Sequence, residues 1–212
     1  MNPIPQPASN PSARIAADLA AQGWSCCQDF LARELTARLR SEAEHLMTRG
    51  AFQPAAVGSG AARAVRPEIR GDDTCWLDER QSPTVAATWQ HFEALRRALN
   101  AELQLGLFEF EAHFARYRPG HSYAPHFDRL SGIGRRLLSA VLYLNEDWRA
   151  EHGGALRLYS TAEARAGNRR EVRDFLPQDR HLMLFLSERF EHEVLPATRE
   201  RLSISGWFLA RA

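Results

Sequence analysis

Hydrophobic and polar positions change period once along this chain. Over residues 13–22, "ARIAADLAAQ", apolar side chains recur at helical spacing and Gly23 follows, which predicts a short amphipathic helix with a glycine stop. "WSCCQDFL" reads as a first strand, leading into "ARELTARLRSEAEHLMTRG", a longer helix that Gly50 ends. Residues 82–103 predict a second long helix. From about residue 106 the runs shorten and alternate: "LGLFEFEAHFARYRPG", "LLSAVLYLNEDW", "GGALRLYS", "HLMLFLSE" and "RLSISGWFLA", separated by Gly, Pro and Asn turns. Short strands at such spacing make a sandwich or barrel. Helices first and strands afterwards predict an α+β chain, an antiparallel jelly roll with the N-terminal helices packed on one face.

Three segments fit neither period. Residues 1–12 are rich in Pro, Asn and Ser and read as a disordered N-terminus, without the charged and apolar regions of a signal peptide. Residues 51–68 are rich in Gly, Ala and Pro and read as a loop; "GSGAAR" within it is an incomplete phosphate-loop pattern and reads as flexible linker. The Arg-rich tract 164–173 reads as a solvated loop. There is no internal repeat. The expected division is residues 13–104 as helical support, with a mobile loop at about 51–80, and 105–212 as the β core.

Composition changes this picture in three places. With 44% hydrophobic and 25% charged residues in 212, the chain is long enough for a full core and needs no disulfides to fold. Net charge is +1, which gives no general argument for nucleic acid, and no apolar run approaches the roughly 18 residues that span a bilayer. The three cysteines, Cys26, Cys27 and Cys75, are odd in number and two are adjacent, which favours free thiols in a reducing compartment and a cytoplasmic location. The sequence contains no lysine. Schiff-base chemistry, pyridoxal-phosphate catalysis and the P-loop lysine are thereby excluded, and any bound anion is gripped by Arg, hydroxyls or backbone amides.

The candidate chemistry begins at "SYAPHFDRLSG". His126 and Asp128 stand at i and i+2 at a strand end, so their side chains share a face. His192 follows a later strand, and Arg201 comes nine residues after it at the start of the last strand. Singly, each of these is common on ordinary strands. Together they have the makings of a two-His, one-carboxylate facial triad of the non-haem iron type, which leaves metal positions open for a keto acid and dioxygen. The distal carboxylate of such a keto acid needs a fixed cation, and Arg201 offers a bidentate fork with Ser203 on the same face as a hydroxyl donor.

These residues, with "EIRGDDTCW", "YRPGHSYAPHFD", "VLYLNEDW", "GGALRLY" and "HEVLPATRERLSISGWF", resemble the prolyl 4-hydroxylase branch of the 2-oxoglutarate and Fe(II)-dependent dioxygenases, above all the oxygen-sensing, hypoxia-factor-type prolyl hydroxylases and their bacterial relatives. The resemblance runs from residue 68 to the C-terminus. It implies a double-stranded β-helix (jelly roll) with His126, Asp128 and His192 as iron ligands. It implies that Arg201 binds the C5 carboxylate of 2-oxoglutarate, that Tyr143 donates a hydroxyl to the same group, and that Tyr117 and Ser203 complete the cosubstrate site. Arg70, Asp72 and Trp76 fall in a mobile substrate-covering segment, with Asp72 paired to Arg135 of the rim and Trp207 beside the target proline. His113, His121, His152 and His181 are given no role by the resemblance and are expected at the surface or in turns. The implied reaction takes Fe(II), 2-oxoglutarate and O2, with ascorbate as reductant, and releases succinate and carbon dioxide. The implied partner is a protein or peptide presenting a proline, in the bacterial branch a translation elongation factor, with no nucleic acid or membrane and a monomer or weak dimer as the assembly. Three alternatives are a small-molecule or free amino-acid hydroxylase of the same mechanism, a metal- and 2-oxoglutarate-binding sensor without turnover, and a zinc hydrolase, which has no need of Arg201 or Tyr143.

Overall fold

A computed structural model describes residues 11–58, 63–129, 134–159 and 171–211. Of the expected disordered terminus (1–12), residues 1–10 lie outside the described residues, as do the centre of "GSGAAR" (59–62) and most of the Arg-rich tract (164–170), while residues 11 and 12 belong to a helix.

Helix α1 (Pro11–Gln22) is followed by strand β1 (Trp24–Cys27) and helix α2 (Arg33–Thr48). The stretch expected as one loop contains β2 (Gln53–Pro54), the paired β3 (Ala56–Val57) and β4 (Ala64–Val65), and β5 (Asp72–Trp76). Helix α3 (Pro83–Leu103) starts where Ser82 caps the Val85 amide and Pro83 fixes the first turn, and it stops at Gln104 in the left-handed region. The β half consists of β6 (Leu107–Tyr117), β7 (Tyr123–His126), β8 (Arg136–Tyr143), β9 (Leu156–Tyr159), β10 (Glu171–Phe175), β11 (Leu182–Leu186), β12 (His192–Val194) and β13 (Arg201–Ala210). Helices, strands and their order follow the expected pattern, with α1 beginning two residues earlier.

Apart from the β3–β4 pair, the described strands form two antiparallel sheets that face each other as a jelly roll. The larger runs β1-β11-β8-β13-β6-β5-β2 and the smaller β10-β9-β12-β7. Alternation sorts each strand of the large sheet into two faces. Leu138, Ala140 and Leu142 of β8, Leu182 and Leu184 of β11, and Leu202, Ile204 and Phe208 of β13 pack against the helices with Ile15, Leu39, Phe92 and Leu99. The opposite face carries Ala115, Tyr117, Tyr143, Met183 and Phe185, which meet Leu156, Leu158, Phe175 and Val194 of the small sheet.

Gly206 sits on the helix-facing side of β13, where the Phe110 ring fills the space a side chain would take. A Cβ there would lie 2.7 Å from the Glu111 carbonyl, 2.7 Å from Phe110 Cζ and 2.8 Å from Ala112 Cβ. Phe110 is itself held between Phe92 and Phe208, at 4.3 and 4.7 Å between ring centroids. Gly206→Ala is therefore expected to destabilise the fold by about 1–3 kcal/mol, as overpacking does, measured as a lower urea midpoint. An unchanged midpoint would show that the aromatic cluster yields without cost.

Candidate functional site

The inward face of β13 departs from the apolar rule. Arg201, Ser203, Ser205 and Trp207 all point between the sheets, and Arg201 is only 1% exposed. Burying a guanidinium is costly unless it is paired and hydrogen-bonded. Arg201 makes no ion pair with any described residue. Its Nε donates to the Gly154 carbonyl at 3.0 Å, its Nη1 reaches Ser203 Oγ at 3.4 Å, and its Nη2 has no partner among the described residues. The rings of Tyr117 and Tyr143 stand 5.2 Å from the guanidinium carbon on either side. Tyr143 Oη is buried and also unpartnered. Burial raises the pKa of both phenols, although Arg201 opposes it, so both are neutral hydroxyls at pH 7.

Local sequence explains why the arginine holds this pose. Gly153 and Gly154 adopt φ of +66° and +70°, and a Cβ at Gly153 would meet the Pro196 carbonyl at 2.7 Å. The turn "HGGA" thereby presents the Gly154 carbonyl to Arg201. Asn145, in "LYLNEDW", bonds the Leu202 amide at 2.7 Å and the Pro177 carbonyl at 2.8 Å, which pins the start of β13.

The expected metal ligands converge. His126 on β7 is the direct cross-strand partner of His192 on β12, and Asp128 follows β7. Their ligand atoms lie within 4.8 Å of one another. His192 Nε2 is 3.5 Å from Asp128 Oδ2 and His126 Nε2 is 3.9 Å from Oδ1. Nδ1 of His126 is 2.8 Å from the Ala124 carbonyl, a contact that places the proton on Nδ1 and leaves the Nε2 lone pair facing the cluster. Burial and the neighbouring His192 push the His126 pKa well down, so the ring is neutral. Burial opposes ionisation of Asp128, but His192, His126 and the Ser139 hydroxyl outweigh it and keep the carboxylate charged. Neutral imidazoles and a carboxylate are the protonation states a metal requires. With two nitrogens and one oxygen, the donor set fits a facially coordinated non-haem Fe(II).

Ser139 Oγ donates to Asp128 Oδ2 at 2.7 Å and stands 2.8 Å from Ser187 Oγ, with both serines buried. Supports of this kind orient a ligand, and their loss typically costs about 10–100-fold in metal affinity. Ser139→Ala is expected to weaken Co(II) binding, read by titration calorimetry, within that range, while Ser139→Thr keeps the hydroxyl and most of the affinity. Equal affinities for all three proteins would sink the assignment.

A cavity of about 120 Å³ joins the two halves of the site. Its lining includes the three candidate ligands, Tyr117, Arg201, Arg70, Asp72 and Trp207. Tyr143 and Ser203 contact Arg201 without lining the cavity. Asp72 is 2% exposed and takes two bonds from Arg70, at 2.8 and 3.0 Å. The Arg70 guanidinium lies 4.9 Å from the Tyr123 ring centroid, and that ring stacks on His126 at 3.6 Å. Trp76 is half exposed, at 52%, on the rim.

Two expectations are corrected. Asp72 pairs with Arg70 and not with Arg135, which instead bonds Glu109 at 3.1 Å and the Ala210 carbonyl at 2.9 Å. The rim arginine is its neighbour Arg136, stacked on the Trp207 indole at 3.5 Å and bonded to Glu111 at 3.0 Å. A bulge is the reason: Phe208 opposes Leu138 but Leu209 opposes Arg136, so Leu137 is the extra residue. Strict alternation from Tyr143, Val141 and Ser139 would turn residue 135 inward, and the bulge turns residue 136 inward instead. The second correction is His113, expected at the surface but 2% exposed, packed against the rings of Trp76 at 4.9 Å and Trp207 at 5.5 Å, which also meet each other. Neither of its nitrogens has a hydrogen-bond partner among the described residues, which costs about 1–3 kcal/mol per unsatisfied group. Burial, reinforced by Arg70 and Arg136, holds its pKa at about 3. His121 instead contacts the Gly71 carbonyl at 2.7 Å, and His152 accepts from the Arg149 amide.

Sequence reasoning missed Tyr123, Arg136, Ser139 and His113. For His113 and Ser139 a signal existed: each has the strand parity of an inward residue, Tyr117 and Tyr143 respectively.

Comparison with known proteins points the same way. Residues 112–209 match the family model described as the 2OG-Fe(II) oxygenase superfamily. A Pseudomonas putida prolyl-4-hydroxylase is 40% identical, with a TM-score of 0.82, over 95% of this chain and 100% of that one. A Trichoplax adhaerens prolyl hydroxylase, solved with a hypoxia inducible factor peptide fragment, is 26% identical with a TM-score of 0.81, covering 93% of this chain and 88% of that one. Human Egl nine homolog 1 is 29% identical over 196 residues, 88% of this chain and 43% of its own length. The chain thus spans about half the length of the curated relatives it matches. Among the described residues no helix is long and apolar enough to cross a membrane.

Proposed function

Because the chain belongs to the prolyl 4-hydroxylase branch of the 2OG-Fe(II) oxygenase superfamily, we propose that it hydroxylates a prolyl residue of a protein or peptide, converting 2-oxoglutarate and O2 to succinate and carbon dioxide. The observation that carries this reading is Arg201: a buried guanidinium with no carboxylate among the described residues, one free Nη2 and the unpartnered Tyr143 hydroxyl beside it, at the end of a cavity that also holds a two-His, one-Asp cluster. A dicarboxylate with a keto group satisfies both ends of that cavity. A zinc hydrolase leaves Arg201 and Tyr143 unexplained.

The roles follow from position. His126, Asp128 and His192 would hold Fe(II), which when bound supplies the activation of dioxygen that organic side chains lack. Arg201 and Tyr143 bind the distal carboxylate, with Ser203 supporting the guanidinium and Tyr117 closing one side. Apolar Val141, Leu156 and Val194 line the cavity and exclude water. Arg70, Asp72, Trp76, Arg136 and Trp207 surround the mouth and receive the substrate. The Trichoplax relative binds a peptide, and the 40% identical relative is a bacterial prolyl hydroxylase, which supports a prolyl substrate. Within that class we favour a translation elongation factor, on the resemblance to the bacterial branch, with ascorbate sustaining Fe(II).

The test is incubation with Fe(II), 2-oxoglutarate and a library of proline-containing peptides that includes elongation-factor segments. The expected result is succinate release with one oxygen gained on a proline. Succinate release with a free amino acid alone would move the protein to the small-molecule class, and no succinate with any substrate would make it a binding protein.

A further inference from the structure

None of the roles above uses His113. It sits in mid-β6 on the face shared with Ala115 and Tyr117, lines the cavity, and leaves both ring nitrogens unpartnered. A phenylalanine or leucine would fill the space between Trp76 and Trp207 without that desolvation cost, so packing does not account for an imidazole here. The ring is neutral, with one N–H donor and one acceptor nitrogen.

Position narrows what it meets. His113 is four residues from Tyr117, roughly 13 Å along the strand at about 3.3 Å per residue, whereas Tyr117 is the ring against Arg201. The charged groups that act most strongly on His113 are Arg70, Asp72, Arg136 and Asp128, those of the rim and the metal cluster. It therefore belongs to the mouth, where Trp76, half exposed, covers it. Proline has no N–H of its own, and the amide carbonyl before it is an acceptor that needs a donor from outside the peptide.

We propose that His113 is a substrate-binding residue that donates a ring N–H to the carbonyl oxygen preceding the target proline. This rests on the prolyl reading above and adds a specificity contact to it.

The experiment compares wild type, His113→Phe and His113→Gln on a hydroxylatable peptide, with 2-oxoglutarate affinity measured separately on each protein. His113→Phe is expected to raise the peptide KM about fivefold to tenfold, the worth of one neutral hydrogen bond, with kcat and 2-oxoglutarate affinity unchanged. His113→Gln, which keeps an N–H, restores most of the loss. A peptide whose carbonyl before the proline is replaced by a thioamide, a weaker acceptor, should lose a similar factor with wild type and nothing further with His113→Phe. The wild-type thioamide comparison needs no variant to fold. An unchanged KM in His113→Phe, an unchanged KM for the thioamide, or a loss confined to 2-oxoglutarate affinity overturns the proposal alone. A wild type inert on every prolyl peptide overturns it together with the prolyl reading.

Discussion

Asp128→Ala is expected to abolish turnover and to weaken divalent-metal binding by more than the ~100-fold that loss of a supporting group costs. The substitution removes the carboxylate from the described cluster and leaves two imidazoles whose ring centroids are 4.2 Å apart. Ser139 then loses its acceptor but retains Ser187, so the surrounding core has little reason to collapse. The fold should survive, and a preserved thermal transition beside absent Co(II) uptake would separate loss of metal from loss of structure. Wild-type succinate release by Asp128→Ala would refute the triad.

Arg201→Ala carries the second large effect, on the cosubstrate. Removing one partner of a buried charge pair typically costs about 2–5 kcal/mol, which corresponds to roughly 30-fold to several-thousand-fold weaker 2-oxoglutarate binding. The metal cluster draws on none of Arg201's contacts, so Co(II) affinity should be unchanged. Arg201→Lys is the sharper variant. An ammonium keeps the charge but lacks the planar fork that now spans the Gly154 carbonyl, Ser203 and the free Nη2 position. It is expected to recover only part of the affinity. A 2-oxoglutarate dissociation constant unchanged in Arg201→Ala would mean that another cation anchors the diacid.

Much of this architecture was legible because it depends on period and parity. Helical spacing located α2 and α3, alternation located β6, β8 and β13, and the i, i+2 relation placed His126 with Asp128 and Arg201 with Ser203. Parity carries no information once a strand bulges. Arg135 as the rim residue came from the resemblance alone; the extra residue at Leu137 reverses the two faces at that end of β8 and turns Arg136 inward, and nothing in "GRRLLSAV" announces it. His113 failed for a different reason. Its parity was correct for an inward residue, but a histidine outside any motif was given its commonest location. Contacts between distant segments, such as Arg70 over Tyr123 and Tyr123 over His126, exist only after folding and leave no local trace.

The segment before β5 shows what those distant contacts do mechanically. The Gly71 amide donates to the Ser122 carbonyl at 2.9 Å and the Ala124 amide to the Ile69 carbonyl at 2.8 Å, so residues 69–71 run as an added rail along the outer edge of β7. Arg70 lies in that rail, and His126 is two residues beyond Ala124. The rail and the metal-bearing strand therefore cannot part without breaking both bonds. In amide-exchange terms Gly71 and Ala124 belong to one opening unit, and whatever slows exchange at one, metal or peptide, slows it at the other.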